Sequence, residues 1–176
     1  MDLPKDNSRT APERLIVREE RPDDHDPVDA IVRAAFGGAG EADLVRALRA
    51  DGDAEIALVA TLDDNVVGHI MLSRMRSEIA ALGLAPLSVS PSLERRGIGS
   101  RLVEAALEKV RAAGTWQAVF LLGDPSYYRR FGFSRDAARP FKSRYQSPHF
   151  MALLLTEQPV PADLPIEYAP AFDALT

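Results

Sequence analysis

The residues best placed to do chemistry lie in one run, Leu87-Ser88-Val89-Ser90-Pro91-Ser92-Leu93-Glu94-Arg95-Arg96-Gly97-Ile98-Gly99-Ser100-Arg101-Leu102. An apolar extended stretch passes into a basic, glycine-bearing turn, and a long amphipathic helix begins at once. The first turn of a helix leaves N–H groups without intrahelical partners, and its macrodipole adds about half a positive charge. The turn therefore reads as an anion cradle. Gly97 and Gly99 lack Cβ atoms, which lets phosphate oxygens approach the amides of residues 96–100. Arg95 and Arg96 would flank those oxygens, and Ser88 and Ser100 could add hydroxyls. Each residue also has a plainer use: the glycines in close helix-to-sheet packing, the arginines in a solvated turn, Ser100 as a helix-end cap. Two common phosphate fingerprints fail. A dinucleotide-binding Gly-x-Gly-x-x-Gly needs glycine where Leu102 stands, and no Gly-Lys-Ser or Gly-Lys-Thr occurs in the chain.

Other chemistries are excluded by composition. The chain has no cysteine, which removes disulfide scaffolds, thiolate zinc sites and cysteine nucleophiles together. Its three histidines, His25, His69 and His149, are scattered and never form a ligand-spaced pair, so a histidine-built metal site is not expected. A net charge of −5 and a pI of 5.2 argue against the basic footprint of a nucleic-acid binder, whose pI is typically above about 9. The longest uncharged stretch, residues 79–93, is broken by Gly83, Pro86 and Pro91 and falls short of a membrane span. Residues 1–12 are polar and proline-bearing, unlike a signal peptide, so a cytoplasmic protein is expected.

The elements that must position the cradle follow from periodicity. At 176 residues the chain is long enough for one domain with a proper core. Residues 1–12 read as a disordered lead-in, 13–158 as the domain, and 159–176, with Pro159, Pro161, Pro165 and Pro170, as an extended surface wrap packed on it. A first strand over 14–18 precedes a helix carrying Val28, Ile31, Val32, Ala35 and Phe36, and a second helix spans 41–50. Strands at 56–62 and 66–72 form a hairpin about Asp63-Asp64-Asn65, and 82–89 is a further strand. Pro86 within that strand cannot donate to a ladder, so the strand is at an edge or splayed from a neighbour. Ile98, Leu102, Ala106 and Val110 make the stripe of a long helix ending near Gly114. Strands at 118–122 and 150–155 flank a short helix begun by Asp124 and Pro125. The order implies an α/β (α+β) fold with a mixed sheet and about four helices.

Val89-Ser90-Pro91 followed by Arg95-Arg96-Gly97-Ile98-Gly99 resembles the pyrophosphate loop of the GNAT (general N-acetyltransferase) superfamily, (Gln or Arg)-x-x-Gly-x-(Gly or Ala). Glu94 departs from that pattern at the usual Gln or Arg position. Gly123-Asp124-Pro125-Ser126-Tyr127-Tyr128-Arg129-Arg130-Phe131-Gly132-Phe133 is similar to the family's closing Tyr-x-x-x-Gly-Phe block, particularly in its bacterial YhbS-like branch. The resemblance covers residues 14–156. It implies a mostly antiparallel sheet splayed into a V near Pro86, with acetyl-CoA as cosubstrate and no metal.

The cofactor would lie along Leu87, Ser88 and Val89, with its phosphates on Arg95, Arg96, Gly97, Ile98, Gly99 and Ser100. The implied reaction moves acetyl directly from the thioester to an amine, with backbone N–H groups near Val89 polarising the carbonyl. Tyr128 takes the position of the acid that donates a hydrogen bond or proton to the leaving sulfur, and it would also touch the cofactor. Its plainer use is aromatic packing with Tyr127 and Phe131. Glu41 is the candidate base, although a carboxylate that opens a helix is favoured there by the dipole alone; Glu78 and His69 are further candidates. Two other readings stay open: a non-catalytic acyl-CoA-binding regulatory module, and a nucleotide-binding module. The acceptor amine could belong to a small molecule or a peptide. The proline-bearing tail and the late strand are candidate surfaces for a homodimer.

Overall fold

A computed structural model describes residues 14–175, so the lead-in expected over residues 1–12 lies outside the described residues. Strands β1 (Leu15–Glu19), β2 (Ala54–Leu62), β3 (Asn65–Arg74) and β4 (Ala81–Val89) form an antiparallel run. Strand β5 (Ala118–Leu122) joins β4 in parallel, and β7 (Phe150–Leu154) closes the six-stranded order β1-β2-β3-β4-β5-β7. Between β5 and β7 lies the two-residue strand β6 (Phe141–Lys142), which pairs in parallel with β8 (Leu164–Pro165).

Alternation along the strands gives each sheet face its own core. Helix α3 (Ile98–Ala113) lays Ile98, Leu102, Ala106 and Val110 on Leu58, Ile70, Leu72 and Leu82. Helices α1 (His25–Phe36) and α2 (Gly40–Ala50) cover the opposite face, where Val28, Val32, Leu44 and Leu48 meet Val59, Met71 and Phe120. Gly37 and Gly114 end α1 and α3 in left-handed conformations, the second at the end expected for the long helix. Five α-helices occur among the described residues rather than about four, because the chain after β5 makes two separate single turns, α4 (Pro125–Tyr128) and α5 (Arg135–Ala138).

Of the two possibilities that Pro86 left, an edge strand or a splayed one, the sheet takes the second. Strands β4 and β5 pair only through Ala81↔Ala118, Leu82↔Val119 and Gly83↔Phe120, although β4 continues to Val89. On its other side β4 remains paired with β3 out to Gly68↔Val89. Between Leu72↔Leu84 and Ile70↔Leu87 the third strand advances by two residues and the fourth by three, a β-bulge at Ala85 and Pro86. The Ala85-Pro86 peptide is cis. The edge of β4 that faces β5 is therefore unpaired beyond Gly83, along the residues that lead into α3.

The C-terminal segment runs deeper than the surface wrap that its prolines suggested. Between those prolines stand apolar residues at alternate positions, and Leu164, Ile166, Tyr168 and then Phe172 are buried in the core shared with α1 and α2. An isolated bridge ties Glu167 to Arg76, and a 3-10 turn over Pro170–Ala174 closes on the start of α2. No helix among the described residues is long and apolar enough to cross a membrane.

Candidate active site

The turn before α3 has the geometry of a cradle. Gly97 caps the helix in the left-handed region at φ 79°, with nothing within 4 Å of the place a Cβ would take, and Arg95 precedes it at φ 61°. Buried Ile98 anchors the first turn on the sheet. A groove of about 540 Å³ begins here, walled by Leu87, Val89, Arg95, Gly97, Gly99 and Ser100. Glu94, the departure from the family pattern, also faces this groove. Arg96 is exposed on the turn outside it. Ser88 points the other way: it is buried opposite His69, and its hydroxyl has no hydrogen-bond partner among the described residues.

Tyr127, Arg130 and Phe36 line this groove too, and none was assigned to it from the sequence. Tyr127 and Ser100 share a hydrogen bond of 3.1 Å between their hydroxyls, and the Arg130 guanidinium lies over the Tyr127 ring at 4.5 Å. The Ser100 hydroxyl thus bonds a side chain of α4 and does not cap its own helix. Helix α4 is started by Asp124, whose carboxylate accepts from the Ser126 amide at 2.9 Å, with Pro125 in the first helical position. That start carries Tyr127 to the groove and Tyr128 to the space beside it. A methyl on Gly99 would stand 3.3 Å from the Tyr127 hydroxyl and 3.7 Å from Val89, so glycine permits this close approach.

A second cavity of about 440 Å³ adjoins the groove, with which it shares Phe36 and Leu87. Strand β4 supplies one wall through Leu84, Ala85 and Pro86, and α2 supplies Glu41. Tyr128 lines this second cavity, its ring seated on Gly123, where a Cβ would come within 2.4 Å of a ring carbon. Tyr127 and Phe133 pack edge-on against it, with centroids 4.9 and 6.1 Å away. Burial, aided by neighbouring Tyr127, pushes the Tyr128 phenol up to about 12, so it stays protonated at neutral pH. Glu41 lines the cavity and forms no salt bridge among the described residues. Phe36 and Leu122 line the cavity with 45% and 44% of their surfaces exposed, an apolar surface of the kind that ligands cover.

The other base candidates lie elsewhere. Glu78 is exposed beyond β3. His69 is fully buried on β3, with Nε2 3.2 Å from Glu20 Oε1 but poorly aligned for a hydrogen bond. Glu20 also takes the Arg49 guanidinium, through Nε at 3.1 Å and through Nη2, and His25 Nε2 lies 3.7 Å away. This cluster ties β1, α2 and β3 together away from the groove. Among the described residues no three His, Asp or Glu side chains gather as metal ligands.

Residues 22–133 match the model of the acetyltransferase (GNAT) family. The chain is 35% identical over 135 residues to the uncharacterized N-acetyltransferase YhbS of Escherichia coli K12, covering 74% of this chain and 80% of that protein. A crystal structure of Escherichia coli YhbS in complex with CoA superposes with a TM-score of 0.83 at 31% identity, over 92% of this chain and 93% of that one. A GNAT family acetyltransferase from Brucella melitensis, solved in complex with acetyl-CoA, gives a TM-score of 0.77 at 33% identity, over 91% of this chain and 99% of the other.

Proposed function

Because the chain belongs to the acetyltransferase (GNAT) family, we propose that it moves an acetyl group from acetyl-CoA directly to an amine, with Tyr128 serving the departing sulfur. The observation that carries this reading is the open edge of β4, which runs unpaired from Leu84 to a helix start whose amides are free. An extended, amide-bearing arm can add to such an edge as a strand would. The residues fit the cofactor: Gly97 leaves open space for phosphate oxygens, and Arg95 and Arg130 bring positive charge to the groove. The complexes of the Brucella melitensis protein with acetyl-CoA and of YhbS with CoA support the same assignment.

Acetyl-CoA supplies a thioester carbonyl for the amine to attack and a thiol leaving group. Leu87 and Val89 orient the arm, and Gly97 to Ser100 hold its phosphates on backbone amides at the positive end of α3. Arg96, on the exposed turn, adds charge at the rim, and Ser88 supports β4 from beneath. Tyr128, in the lining of the adjoining cavity, offers its phenolic hydrogen to the departing sulfur. With that phenol near 12 and an ordinary thiol near 8.5, full proton transfer to a thiolate is uphill by about 5 kcal/mol. A hydrogen bond that strengthens as charge builds on sulfur is therefore the easier role. Glu41 can take the ammonium proton before attack.

The test is release of CoA thiol from acetyl-CoA by the purified protein, with and without a mixture of amines. Amine-dependent release is expected. Tight CoA binding without release under any amine would instead assign the chain to non-catalytic acyl-CoA-binding modules.

A further inference from the structure

The cavity beside Tyr128 has a chemistry of its own. Five aromatic rings line it: Phe36 from α1, Tyr128 from α4, Tyr145 from the loop before β7, and Tyr168 and Phe172 from the C-terminal segment. The last three form a continuous wall. Tyr145 and Tyr168 meet edge-on at 5.4 Å, and Tyr168 and Phe172 lie 4.8 Å apart. The Tyr168 ring lies flat on Gly83, where a Cβ would come within 2.7 Å, so the glycine on β4 sets the ring's position. Leu175 closes the end over Gly40, at 3.2 Å from the place its Cβ would take, next to Glu41. Glu41 is the one charged side chain among the described residues of this lining.

We propose that the acceptor is a small primary amine with an aromatic body, its ring against the wall of Tyr145, Tyr168 and Phe172 and its ammonium on Glu41. This rests on the acetyl-transfer reading. Aromatic walls bury an arylalkyl body and attract an adjacent ammonium. One carboxylate matches one positive charge, whereas a polyamine would bring a second charge to a lining with no second carboxylate, beside the Arg144 guanidinium that already lies 5.0 Å over the Tyr145 ring. At about 440 Å³ the cavity lies at the lower end of the roughly 300–1,000 Å³ of small-molecule sites. In the reaction the amine nitrogen forms the bond to the acetyl carbon and the C–S bond breaks. One ammonium proton leaves to solvent through Glu41, and a second proton, lost from the nitrogen, ends on the CoA sulfur.

The experiment compares kcat/KM for 2-phenylethylamine and tryptamine with that for putrescine, spermidine and a lysine-containing peptide, at saturating acetyl-CoA. The arylalkylamines are expected to exceed the others by about 10²-fold, the discrimination of a few kcal/mol that an apolar site achieves. Equal or better use of a polyamine or the peptide overturns the proposal. Phe172→Ala should raise the KM for 2-phenylethylamine about tenfold, the scale of losing one aromatic anchor, with the acetyl-CoA KM unchanged. Since Phe172 is buried, Glu41→Gln at a half-buried position gives an independent reading. It should raise the same KM by about tenfold or more as the charge partner is lost, and an unchanged KM overturns the proposal. Calorimetric binding of 2-phenylethylamine to the CoA-loaded protein separates the two readings. Binding without turnover of any amine keeps the cavity's assignment and removes acetyl transfer; absence of binding removes the assignment itself.

Discussion

Tyr128 and Gly123 act as a unit at the scale of single residues. The ring of Tyr128 rests where a side chain on residue 123 would have to go, so its position depends on the absence of a Cβ. Gly123→Ala is expected to displace the ring and to lower turnover by about 10-fold or more without loss of acetyl-CoA affinity, since a misplaced acid forfeits most of a general-acid contribution. Steady-state kinetics with both substrates checks this, and unchanged kcat would show that ring placement is irrelevant. Tyr128 was legible because it falls in a recognisable block. The Tyr127 and Ser100 pair was not, since 27 residues separate two hydroxyls that meet only once α3 and α4 are packed. Arg130 and Phe36 were hidden for the same reason.

At the scale of elements, Pro86 left β4 either at an edge or splayed, and the divergence from β5 is the second of these; the long helix was readable from its 3.6-residue stripe. The cluster that joins the end of β1 to α2 and β3 was not readable, because Glu20 lies just past β1, Arg49 on α2 and His69 on β3, and each looks like a surface or packing residue alone. Burial holds the His69 imidazole below its ordinary 6.5, against the pull of Glu20. Burial pushes Glu20 up, but close contacts with His69 and Arg49 outweigh it and bring the carboxyl from 4.5 to about 2. Both folded values are depressed, so both contributions are present at neutral pH and are lost on acidification. The melting temperature should fall as pH drops below about 6.5, through His69, and fall further between 4.5 and about 2 as Glu20 protonates. Thermal melts of the wild type and His69→Gln across pH 7 to 3 check this. The variant should lose the upper limb of the curve and keep a reduced lower one, carried by Arg49 alone, and a wild-type curve that is flat from neutral to acid would refute the assignment.

At the scale of the whole molecule, the C-terminal segment is where the sequence reading fell furthest short. Four prolines suggested a surface wrap, yet Tyr168 and Phe172 are 8% and 6% exposed and build the wall of the acceptor cavity. The alternate apolar residues between the prolines were the available signal. The groove exists only in the folded chain, so a cofactor bound there should stabilise the folded state. Acetyl-CoA at one hundred times its Kd should add about 2.7 kcal/mol, or roughly 5–10 °C in Tm for a chain of this size. An equal shift from ATP in place of acetyl-CoA would favour a general nucleotide site. The most direct test of the account compares amine-dependent CoA-thiol release by the wild type and Tyr128→Phe. The expected result is robust release by the wild type, with kcat lowered about 10²-fold in the variant at an unchanged acetyl-CoA KM. Equal kcat in the two proteins, or no release by the wild type with any amine, would contradict it.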